Sequence, residues 1–301
     1  MGWIPGGEFQ MGSDQHYPEE APAHRVRVEG FWIDRAPATN ADFTEFVRAT
    51  GHVTAAQRSP DPADYPGADP SLLVPGSSVF VPPTRPVGLA DPYRWWSWVP
   101  GAHWRHPEGP ASPRRAQPDH PVVHVAWADV AAYAVWAGKQ VPTEAQWELA
   151  ARGGLDGAPY AWGNELNPHG QWMANTWQGD FPHENNPEDG YERTSPVGAF
   201  PPNGYGLVDM IGNVWEWTAD WYADHSHAAT HSCCSVPDPR GGSEAASIDR
   251  RDPARVPRRV MKGGSHLCAP SYCRRYRPAA RMPQAVDTST SHLGFRLILR
   301  A

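Results

Sequence analysis

The sequence is poor in lysine, in cysteine and in long apolar runs. Lysine occurs only at Lys139 and Lys262 among 26 basic residues, and the formal net charge is −7. General nucleic-acid binders carry clustered positive charge, so this balance disfavours a nucleic-acid partner. No stretch of about 18 apolar residues occurs, which excludes a membrane-spanning helix. Four cysteines in 301 residues are too few for a disulfide scaffold.

The chain also lacks the signatures of several common enzyme classes and of secretion. It contains no GxGxxG after a strand, no P-loop, no GxSxG elbow and no HExxH motif, so hydrolase and NTPase functions have no support. Residues 1–11 have neither the basic region nor the apolar region of a secretory leader. We therefore expect a cytoplasmic protein.

Glycine, proline and tryptophan are abundant instead. The 28 glycines and 34 prolines exclude a helical bundle, and the 15 tryptophans are typical of a folded chain. Residues 52–120 and 155–207 show no helical or strand periodicity, which predicts long ordered loops held by aromatic packing or bound cations. No linker separates two cores, and the one segment expected to be a mobile insertion is 225–257.

Local patterns predict three short helices and two strands. Thr39 is a capping residue for the first helix, and Thr143 forms a capping box with Gln146 at the start of the third. Glycine ends all three helices. The predicted helices lie at about 39–51, 128–138 and 143–153, and the predicted strands lie at 26–28 and 293–297.

The segment 262–277, KGGSHLCAPSYCRRYR, combines two cysteines with several polar and cationic side chains. Cys268 and Cys273 lie five positions apart, and the arginines around them would lower thiol pKa values and favour thiolates. Two thiolates without a nearby histidine or carboxylate suit a soft ion such as Cu(I) better than zinc, which takes four ligands. Two free core thiols or a local disulfide are the alternatives.

Two other segments combine carboxylates with tight turns. Asp209 and Glu216 flank turn residues that can offer carbonyl groups, and Asn175 and Asp189 lie in a similar mixture. Calcium takes such oxygen ligands. Asx turns without a bound ion explain the same residues equally well.

Histidine and tryptophan clusters have structural explanations. His120 and His124 flank Pro-Val-Val, which predicts a strand with both rings on one face. We interpret them as structural histidines rather than metal ligands. Four tryptophans are interpreted as core or groove lining, with stacking of a ligand as the alternative: Trp95, Trp96, Trp98 and Trp104.

At the cysteine segment the sequence resembles the formylglycine-generating enzymes, the aerobic sulfatase-modifying factors. The motif Gly-Gly-Ser-x-x-Cys-x-x-x-x-Cys is specific to that activity, whereas the opening PGGEFQMG and the Trp-Glu-Trp motif are shared by many relatives. The resemblance covers about residues 4–297. It is carried by segments 5–12, 120–124, 142–148, 175–179, 212–217 and 263–277.

The resemblance implies one compact α+β domain over residues 1–301, with little regular secondary structure and C-type-lectin-like ancestry. It implies a monomer that uses O₂ to oxidise the cysteine of a Cys-x-Pro-x-Arg segment, in a nascent or unfolded sulfatase, to Cα-formylglycine. Cys268 and Cys273 would hold Cu(I) as a near-linear pair, which the substrate thiolate would join. Further residues fall at positions that line that family's active site: Ser265, Tyr272, Arg277 and Ser289.

The resemblance also implies two structural calcium sites. The first would use the side chains of Asn175 and Asp189 with the carbonyl groups of Thr176 and Tyr191. The second would use the side chains of Asp209 and Glu216 with the carbonyl groups of Gly212 and Val214.

The sequence departs from the family pattern at several positions. Ala269 replaces a frequent histidine, His292 replaces a frequent asparagine, and Asp209 replaces a common asparagine. The extra cysteines of the secreted animal enzymes are missing, which fits a cytoplasmic protein of the bacterial type. Cys233 and Cys234 are adjacent in a Pro- and Gly-rich stretch, so we expect them not to be needed for turnover. Delivery of Cu(I) or of reducing equivalents is the alternative.

Two other functions compete with oxidation of a protein cysteine. A non-catalytic member of the same fold would bind a peptide or another ligand, but it would have no need of the cysteine pair. An iron-dependent sulfoxide synthase shares the fold in its C-terminal domain. That enzyme needs a separate helical domain with a histidine-rich iron site, and here the recognisable fold already begins near residue 4.

Overall fold

Short strands and short helices frame long loops. The computed structural model describes residues 1–225 and 235–300. Its strands are β1 (Gly2–Ile4), β2 (Gly7–Met11), β3 (His24–Val28), β4 (Phe31–Ile33), β5 (Gly76–Phe80), β6 (Trp96–Pro100), β7 (Trp215–Trp221), β8 (Val236–Pro237), β9 (Arg258–Lys262), β10 (Arg281–Ala285), β11 (Leu293–Gly294) and β12 (Ile298–Arg300). Its α-helices are α1 (Asn40–Thr50), α2 (Trp127–Trp136), α3 (Glu144–Arg152) and α4 (Glu244–Ser247). Within this described part, no helix has both the length and the apolar character needed to cross a bilayer.

The main core surrounds a four-stranded sheet with the order β10-β9-β7-β11. Strand β9 pairs antiparallel with β10 and β7, and β11 pairs parallel with β7. Trp215, Trp217 and Met261 are buried in this sheet. Because β7 follows the loop 203–214 and β9 precedes the loop 263–280, the sheet fixes the two loops that hold most of the predicted site residues.

Two three-stranded sheets, β1-β4-β12 and β2-β3-β8, and the hairpin β5-β6 complete the sheet structure of the described residues. The two ends of the chain meet in the first sheet, since Trp32 of β4 pairs with both Trp3 and Leu299. Strand β8 pairs parallel with β3, so part of the predicted insertion is attached to the body of the domain. Residues 226–234 of that segment lie outside the described residues.

The three predicted helices are confirmed. Thr39 and Asp42 form a capping box at the start of α1, and Thr143 and Gln146 form one at the start of α3. Gly51 follows α1 in the left-handed conformation that commonly ends a helix. Local capping chemistry therefore fixes the ends of these helices.

Of the two strand predictions, the one at 26–28 is confirmed and the one at 293–297 is wrong in part. The strand predicted at 26–28 lies inside β3. Only residues 293–294 of the strand predicted at 293–297 form a strand, β11, and Arg296 lies in the stretch between it and β12, which begins at Ile298. Arg296 is fully buried and its guanidinium contacts the carboxylate of Glu216, with Nε at 2.7 Å from Oε2. The buried ion pair of Arg296 with Glu216 therefore lies where the prediction expected strand hydrogen bonds.

The region 52–120 was predicted to be a loop, but it contains the β5-β6 hairpin. The two strands pair in register from Gly76 with Pro100 to Phe80 with Trp96. Their connection is longer than the common hairpin turns. The sequence therefore gives no local signal for the pairing.

Several ion pairs are buried within the described residues. They are Glu20–Arg277, Glu144–Arg281, Glu148–Lys262 and Glu216–Arg296. The pairs connect α3 to β9 and β10, and they connect the N-terminal segment to the cysteine segment. Removing one partner of a buried pair leaves an uncompensated charge and destabilises a protein by about 3–5 kcal/mol. These pairs therefore lock the loops in position.

Candidate active site around a buried cysteine pair

The cysteine segment folds back on itself directly after β9. Gly263 and Gly264 have φ angles of 94° and 71°, in the left-handed region that glycine tolerates. A Cβ atom on Gly264 would lie 2.8 Å from the carbonyl oxygen of Arg275. This close approach closes a loop that contains both Cys268 and Cys273.

Cys268 and Cys273 are free thiols that lie side by side. Their Sγ atoms are 3.0 Å apart, well beyond the length of about 2.05 Å of a disulfide bond. Their side chains are 1% and 8% exposed. The backbone N–H of Ser265 donates to Cys268 Sγ over 3.4 Å. The predicted pair is thus assembled, and the local disulfide considered as an alternative is not what the structure contains.

The two thiols have different pKa values because they share one proton. A hydrogen bond from Cys268 lowers the pKa of Cys273 to about 7, and the guanidinium of Arg275, whose Nη1 is 3.9 Å from Cys273 Sγ, adds to the effect. Burial raises the pKa of Cys268 well above its usual value, and the neighbouring sulfur raises it further. The first thiolate of the pair therefore forms on Cys273, with its titration centred near neutral pH.

Replacing Arg275 with glutamine is expected to raise the pKa of the thiolate on Cys273, because the variant removes the positive charge that stabilises it. The measurement is thiolate absorbance against pH in reduced, metal-free protein. The background should be Cys233→Ser/Cys234→Ser, so that only the buried pair contributes. Arg274→Gln is the matched control, because Arg274 donates to the hydroxyl of Tyr160. Equal titration curves for the two variants would contradict the assigned role of Arg275.

An aromatic wall adjoins the cysteine pair. The wall consists of Phe80, Trp95, Trp177, Phe181 and Tyr272. Tyr272 stacks parallel on Phe181 with the ring centroids 4.6 Å apart, and it meets Trp95 edge-on at 5.3 Å. The backbone N–H of Trp177 donates to the carbonyl group of Cys268 over 3.1 Å. Tyr272 packs against both this wall and the main core that contains the two cysteines, so it connects the wall to the pair.

The four predicted tryptophans divide into two pairs. Trp95 and Trp104 are buried, as the interpretation of these tryptophans as core residues predicts. Trp96 and Trp98 are partly exposed, and Trp96 packs on His292 with the ring centroids 4.8 Å apart. Partial exposure of Trp96 and Trp98 fits groove lining.

The remaining predicted active-site residues fall into two groups. Ser265 lies in the same loop as the cysteines, and its Oγ accepts from the N–H of Leu267 over 3.2 Å. Ser289 comes from a separate segment, and its Oγ lies 2.7 Å from Oγ of Ser77. Ser265 and Tyr272 are therefore placed with the cysteine pair, whereas Ser289 is held by strand β5.

The guanidinium of Arg277 forms an ion pair with the buried carboxylate of Glu20. It is 1% exposed, and its Nη1 donates to Oε2 of Glu20 over 2.7 Å. Its Nε donates to the carbonyl group of Arg274 over 2.9 Å. The structure thus places the Arg277 guanidinium in a buried ion pair that anchors the cysteine segment to residues 18–20.

Two of the three substituted positions in the family pattern, Ala269 and His292, have different surroundings. Ala269 is fully buried and packs against the aromatic wall. Nδ1 of His292 lies 2.7 Å from the hydroxyl of Thr290. Burial lowers the pKa of His292 to about 3, so its ring is neutral at physiological pH.

His120 and His124 do not lie on a strand, so that prediction is wrong. Proline at position 121 and a φ of 59° at His124 interrupt the extended backbone. Nδ1 of His120 contacts the hydroxyl of Thr194 at 3.0 Å, and Nδ1 of His124 contacts that of Ser77 at 2.7 Å. Both rings have protein partners, in agreement with the structural interpretation.

The first predicted calcium set contains an unpartnered oxygen. Nδ2 of Asn175 donates to the carbonyl group of Arg193 over 2.8 Å, whereas its buried Oδ1 has no partner. The carboxylate of Asp189 accepts from the N–H groups of Thr176 and Tyr191 at 3.2 and 2.9 Å. Burial raises the pKa of Asp189. Asp189 therefore lies against Thr176 and Tyr191, and a cation would satisfy the free oxygen of Asn175. The carbonyl group of Thr176 already accepts from Nε2 of Gln178.

The second predicted set is adjacent, since Asn213 donates its N–H to the carbonyl group of Asn175 over 2.9 Å. Asp209 accepts from the N–H of Gly198 over 2.6 Å, and burial raises its pKa. The Glu216 carboxylate already accepts from Arg296 and from the indole of Trp147, with Nε1 at 2.7 Å. The charge on Glu216 is therefore balanced by protein groups, so the second set fits a calcium ion less well than the first.

Sequence reasoning missed Glu19 and Ser77. Glu19 accepts from Nη2 of Arg275 over 2.6 Å, while the guanidinium lies 3.7 Å from the ring centre of Tyr17. Glu19 thereby holds the arginine that contacts Cys273. No local pattern marks Glu19, because it is 256 positions away from Arg275. Cys233 and Cys234 lie outside the described residues.

The domain is loop-rich and belongs to the α+β class. One of its loops contains two buried free thiols near an aromatic wall, so the protein is one with a two-cysteine centre. A family model described as the sulfatase-modifying factor enzyme 1-like domain matches residues 1–301. The chain belongs to this family, and the predicted fold class is confirmed.

Known proteins similar to this chain include formylglycine-generating enzymes and relatives whose name calls them inactive. The formylglycine-generating enzyme of Mycobacterium tuberculosis is 53% identical over 296 residues, which are 98% of this chain and 96% of that protein. The inactive Cα-formylglycine-generating enzyme 2 of Mus musculus is 39% identical over 302 residues, 97% of this chain and 83% of that protein. The structure of PvdO from Pseudomonas aeruginosa superposes with a TM-score of 0.66 at 25% identity, covering 99% of this chain and 93% of that chain.

Proposed function

We propose that the protein matures sulfatases by oxidising the cysteine of a Cys-x-Pro-x-Arg segment to Cα-formylglycine with O₂. The observation that carries the proposal is the pair of buried, free thiols at Cys268 and Cys273, whose Sγ atoms are 3.0 Å apart. Relatives named formylglycine-generating enzyme, among them one 53% identical over nearly the full length, support it. The substrate is an unfolded or nascent sulfatase chain.

The proposed reaction is balanced with a thiol reductant. The substrate carbon loses its bond to sulfur and gains a double bond to oxygen, a two-electron oxidation. O₂ accepts four electrons, so two more electrons and two protons come from the thiol reductant. The products are the aldehyde, one hydrogen sulfide, one water and the disulfide of the reductant.

Copper(I) fits the donor atoms of the cysteine pair. Two sulfur ligands are the donors that a soft monovalent ion prefers, and the lowered pKa of Cys273, about 7, favours the thiolate that would bind it. Cys268 and Cys273 would hold the ion, which supplies a redox centre that reacts with O₂. Burial excludes water from the two thiols, which are 1% and 8% exposed, and Arg275 stabilises the negative charge on Cys273.

A non-catalytic ligand-binding role is the second candidate. The relative named an inactive Cα-formylglycine-generating enzyme 2 is 39% identical to this chain, so the fold also serves inactive proteins. The two candidates differ in their need for the cysteine pair. A binding module gains nothing from two adjacent buried thiols, whereas the oxidase depends on them.

The test is a turnover assay with a synthetic peptide that contains Cys-x-Pro-x-Arg. The reduced protein is supplied with Cu(I), a thiol reductant and O₂, and both O₂ consumption and sulfide release are followed. We expect one sulfide for each O₂ consumed in excess of a peptide-free blank. A matched peptide with serine in place of cysteine should release no sulfide. A sample without O₂ should also release no sulfide. Peptide binding without sulfide release would favour the non-catalytic candidate and contradict the proposed oxidase.

We also propose that Ca²⁺ stabilises the loop that contains Asn175 and Asp189. An ion that binds only the folded state at a hundred times its dissociation constant adds about 2.7 kcal/mol to the free energy of unfolding. Chelator-treated protein should therefore melt at a lower temperature and recover with Ca²⁺. The Asp189→Asn variant should lose this response, and Asp209→Asn tests the second set separately. An unchanged melting curve in wild-type protein, with no calcium found by elemental analysis, would contradict the proposal.

A further inference from the structure

Three metal-ligating side chains meet at a turn that contains none of the predicted calcium or copper residues. Asp180, His183 and Glu184 each offer one ligand atom, and these atoms all lie within 4.8 Å of one another. The backbone explains the meeting, since the carbonyl oxygen of Asp180 accepts from the N–H groups of His183 and Glu184 at 3.1 and 2.9 Å. Residues three and four positions apart lie on the same side of such a turn. The turn therefore gathers two carboxylates and one imidazole on one side.

The donor atoms of this cluster lack partners among the described residues. Within residues 1–225 and 235–300, no lysine, arginine or histidine forms an ion pair with the carboxylate of Asp180 or Glu184. Nδ1 of His183 is shielded from solvent and has no hydrogen-bond partner in the same part of the chain, whereas buried polar atoms are nearly always paired. A bound cation would offset the repulsion between the two carboxylates and would take a lone pair of the imidazole.

The donor set indicates the class of ion. Calcium and magnesium take oxygen ligands, whereas zinc and the related divalent transition ions also take imidazole nitrogen. Zinc binds histidine nitrogen and carboxylate oxygen at about 2.0–2.2 Å, so the ligand atoms of a tetrahedral ion lie about 3.4 Å apart. Asp180 and Glu184 are exposed, so rotation of their side chains can bring the oxygens to that separation. Three protein ligands leave the fourth position to water.

We propose that Asp180, His183 and Glu184 form a binding site for a divalent ion of the zinc class, separate from the predicted calcium sets and from the cysteine pair. The ion would hold the turn that carries Phe181 of the aromatic wall. The Phe181 ring is 6% exposed and stacks on Tyr272, with the ring centroids 4.6 Å apart and the ring planes 3° apart. Binding of the ion therefore stabilises the part of the wall that contacts the cysteine segment.

Cobalt(II) is the probe, because its bound form absorbs visible light and its spectrum separates nitrogen and oxygen ligands from thiolates. Reduced protein with the substitutions Cys233→Ser and Cys234→Ser is saturated with Ca²⁺ and then titrated with Co²⁺ without O₂. We expect visible absorbance that lacks the thiolate-to-cobalt charge-transfer band and that excess Zn²⁺ removes. A charge-transfer band as the only new absorbance would place the ion on the cysteine pair. Displacement of Co²⁺ by more Ca²⁺ would indicate a site made of oxygen alone, and either result would overturn the inference.

Matched variants locate the bound ion. Glu184→Gln and His183→Asn should each weaken Co²⁺ binding by more than about tenfold, because each removes a ligand. Glu188→Gln removes an exposed charge in the same loop but outside the cluster. It should change the affinity by less than about twofold, since salt screens exposed charges. Equal losses in Glu184→Gln and Glu188→Gln would indicate general attraction of cations to an acidic loop and would overturn the inference.

Hydrogen exchange tests the effect of the ion on the turn. Zn²⁺ should slow exchange of the N–H groups of His183 and Glu184 in the wild-type protein, and it should not do so in Asp180→Asn. Unchanged exchange in wild-type protein that binds Zn²⁺ would contradict the claim that the ion holds the turn. None of these measurements requires turnover, so a protein that oxidises no peptide would overturn the proposed function and leave the metal site to be decided by its own results.

Discussion

Replacing either Cys268 or Cys273 with serine is expected to lower peptide oxidation by on the order of a thousandfold. A serine hydroxyl stays protonated at neutral pH and is a hard oxygen donor, so each variant loses half of the soft ligands for Cu(I). The fold should be retained, because serine is smaller than cysteine and the two side chains are still able to hydrogen bond. The measurements are turnover of the peptide and copper retained against a Cu(I) chelator.

The matched control for these variants is Cys233→Ser/Cys234→Ser. We expect this double variant to oxidise the peptide within a few-fold of wild type. A loss of about a hundredfold in folded, copper-loaded protein would show that the adjacent cysteines belong to the mechanism. Turnover at the wild-type rate by either single serine variant of the buried pair would refute the assigned centre.

Replacing Arg277 with methionine is expected to lower the free energy of unfolding by about 3–5 kcal/mol. The variant leaves the Glu20 carboxylate buried without its partner. The double variant Arg277→Met/Glu20→Leu should recover most of the loss, because two apolar side chains remove both buried charges. Urea unfolding gives the three free energies, provided that the slopes agree.

The exposed pair Glu45–Arg48 on α1 provides the control for the Arg277 prediction. Its side chains are 55% and 75% exposed, and exposed pairs contribute about 0–1 kcal/mol. Arg48→Met should therefore change stability by less than about 1 kcal/mol. If Arg277→Met is no more destabilising than Arg48→Met, the ion pair with Glu20 is not the anchor described above.

Local sequence chemistry predicts the helices well. The capping box of Thr143 with Gln146 places the start of α3, and the glycine at position 153 places its end. These signals operate within one turn of a helix, so they need no knowledge of the tertiary fold. The strand at 26–28 is predicted for a similar reason, since alternation reports one buried face.

Pairings between distant segments could not be predicted. Arg277 and Glu20 are 257 positions apart, and Ser77 and Ser289 are 212 apart. Neither the sign of a charge nor the presence of a hydroxyl group specifies its partner across such distances. Arg296 is the clearest example, because alternation made it a strand residue and its buried pairing with Glu216 interrupts the strand.

The sequence predicts the two cysteines of the candidate site, but it does not predict all of the residues that surround and hold them. Spacing alone left Cys268 and Cys273 as ligands, core thiols or a disulfide, and the resemblance selected ligands. The structure adds groups around them, of which Glu19, Phe80 and Phe181 come from parts of the chain with no motif. The resemblance placed Arg277 among the active-site residues, but its ion pair depends on a glutamate in the N-terminal segment.

The most direct test of the central claim is the mass of a Cys-x-Pro-x-Arg peptide after incubation with the reduced, copper-loaded protein in the presence of O₂ and a thiol reductant. The account predicts a product that has lost sulfur, gained one oxygen and reacts with an aldehyde-specific hydrazide. It predicts the unchanged peptide mass with Cys273→Ser. Aldehyde formation at equal rates by both proteins, or no aldehyde from folded wild-type protein that retains copper, would contradict the claim that the buried cysteine pair is the oxidising centre.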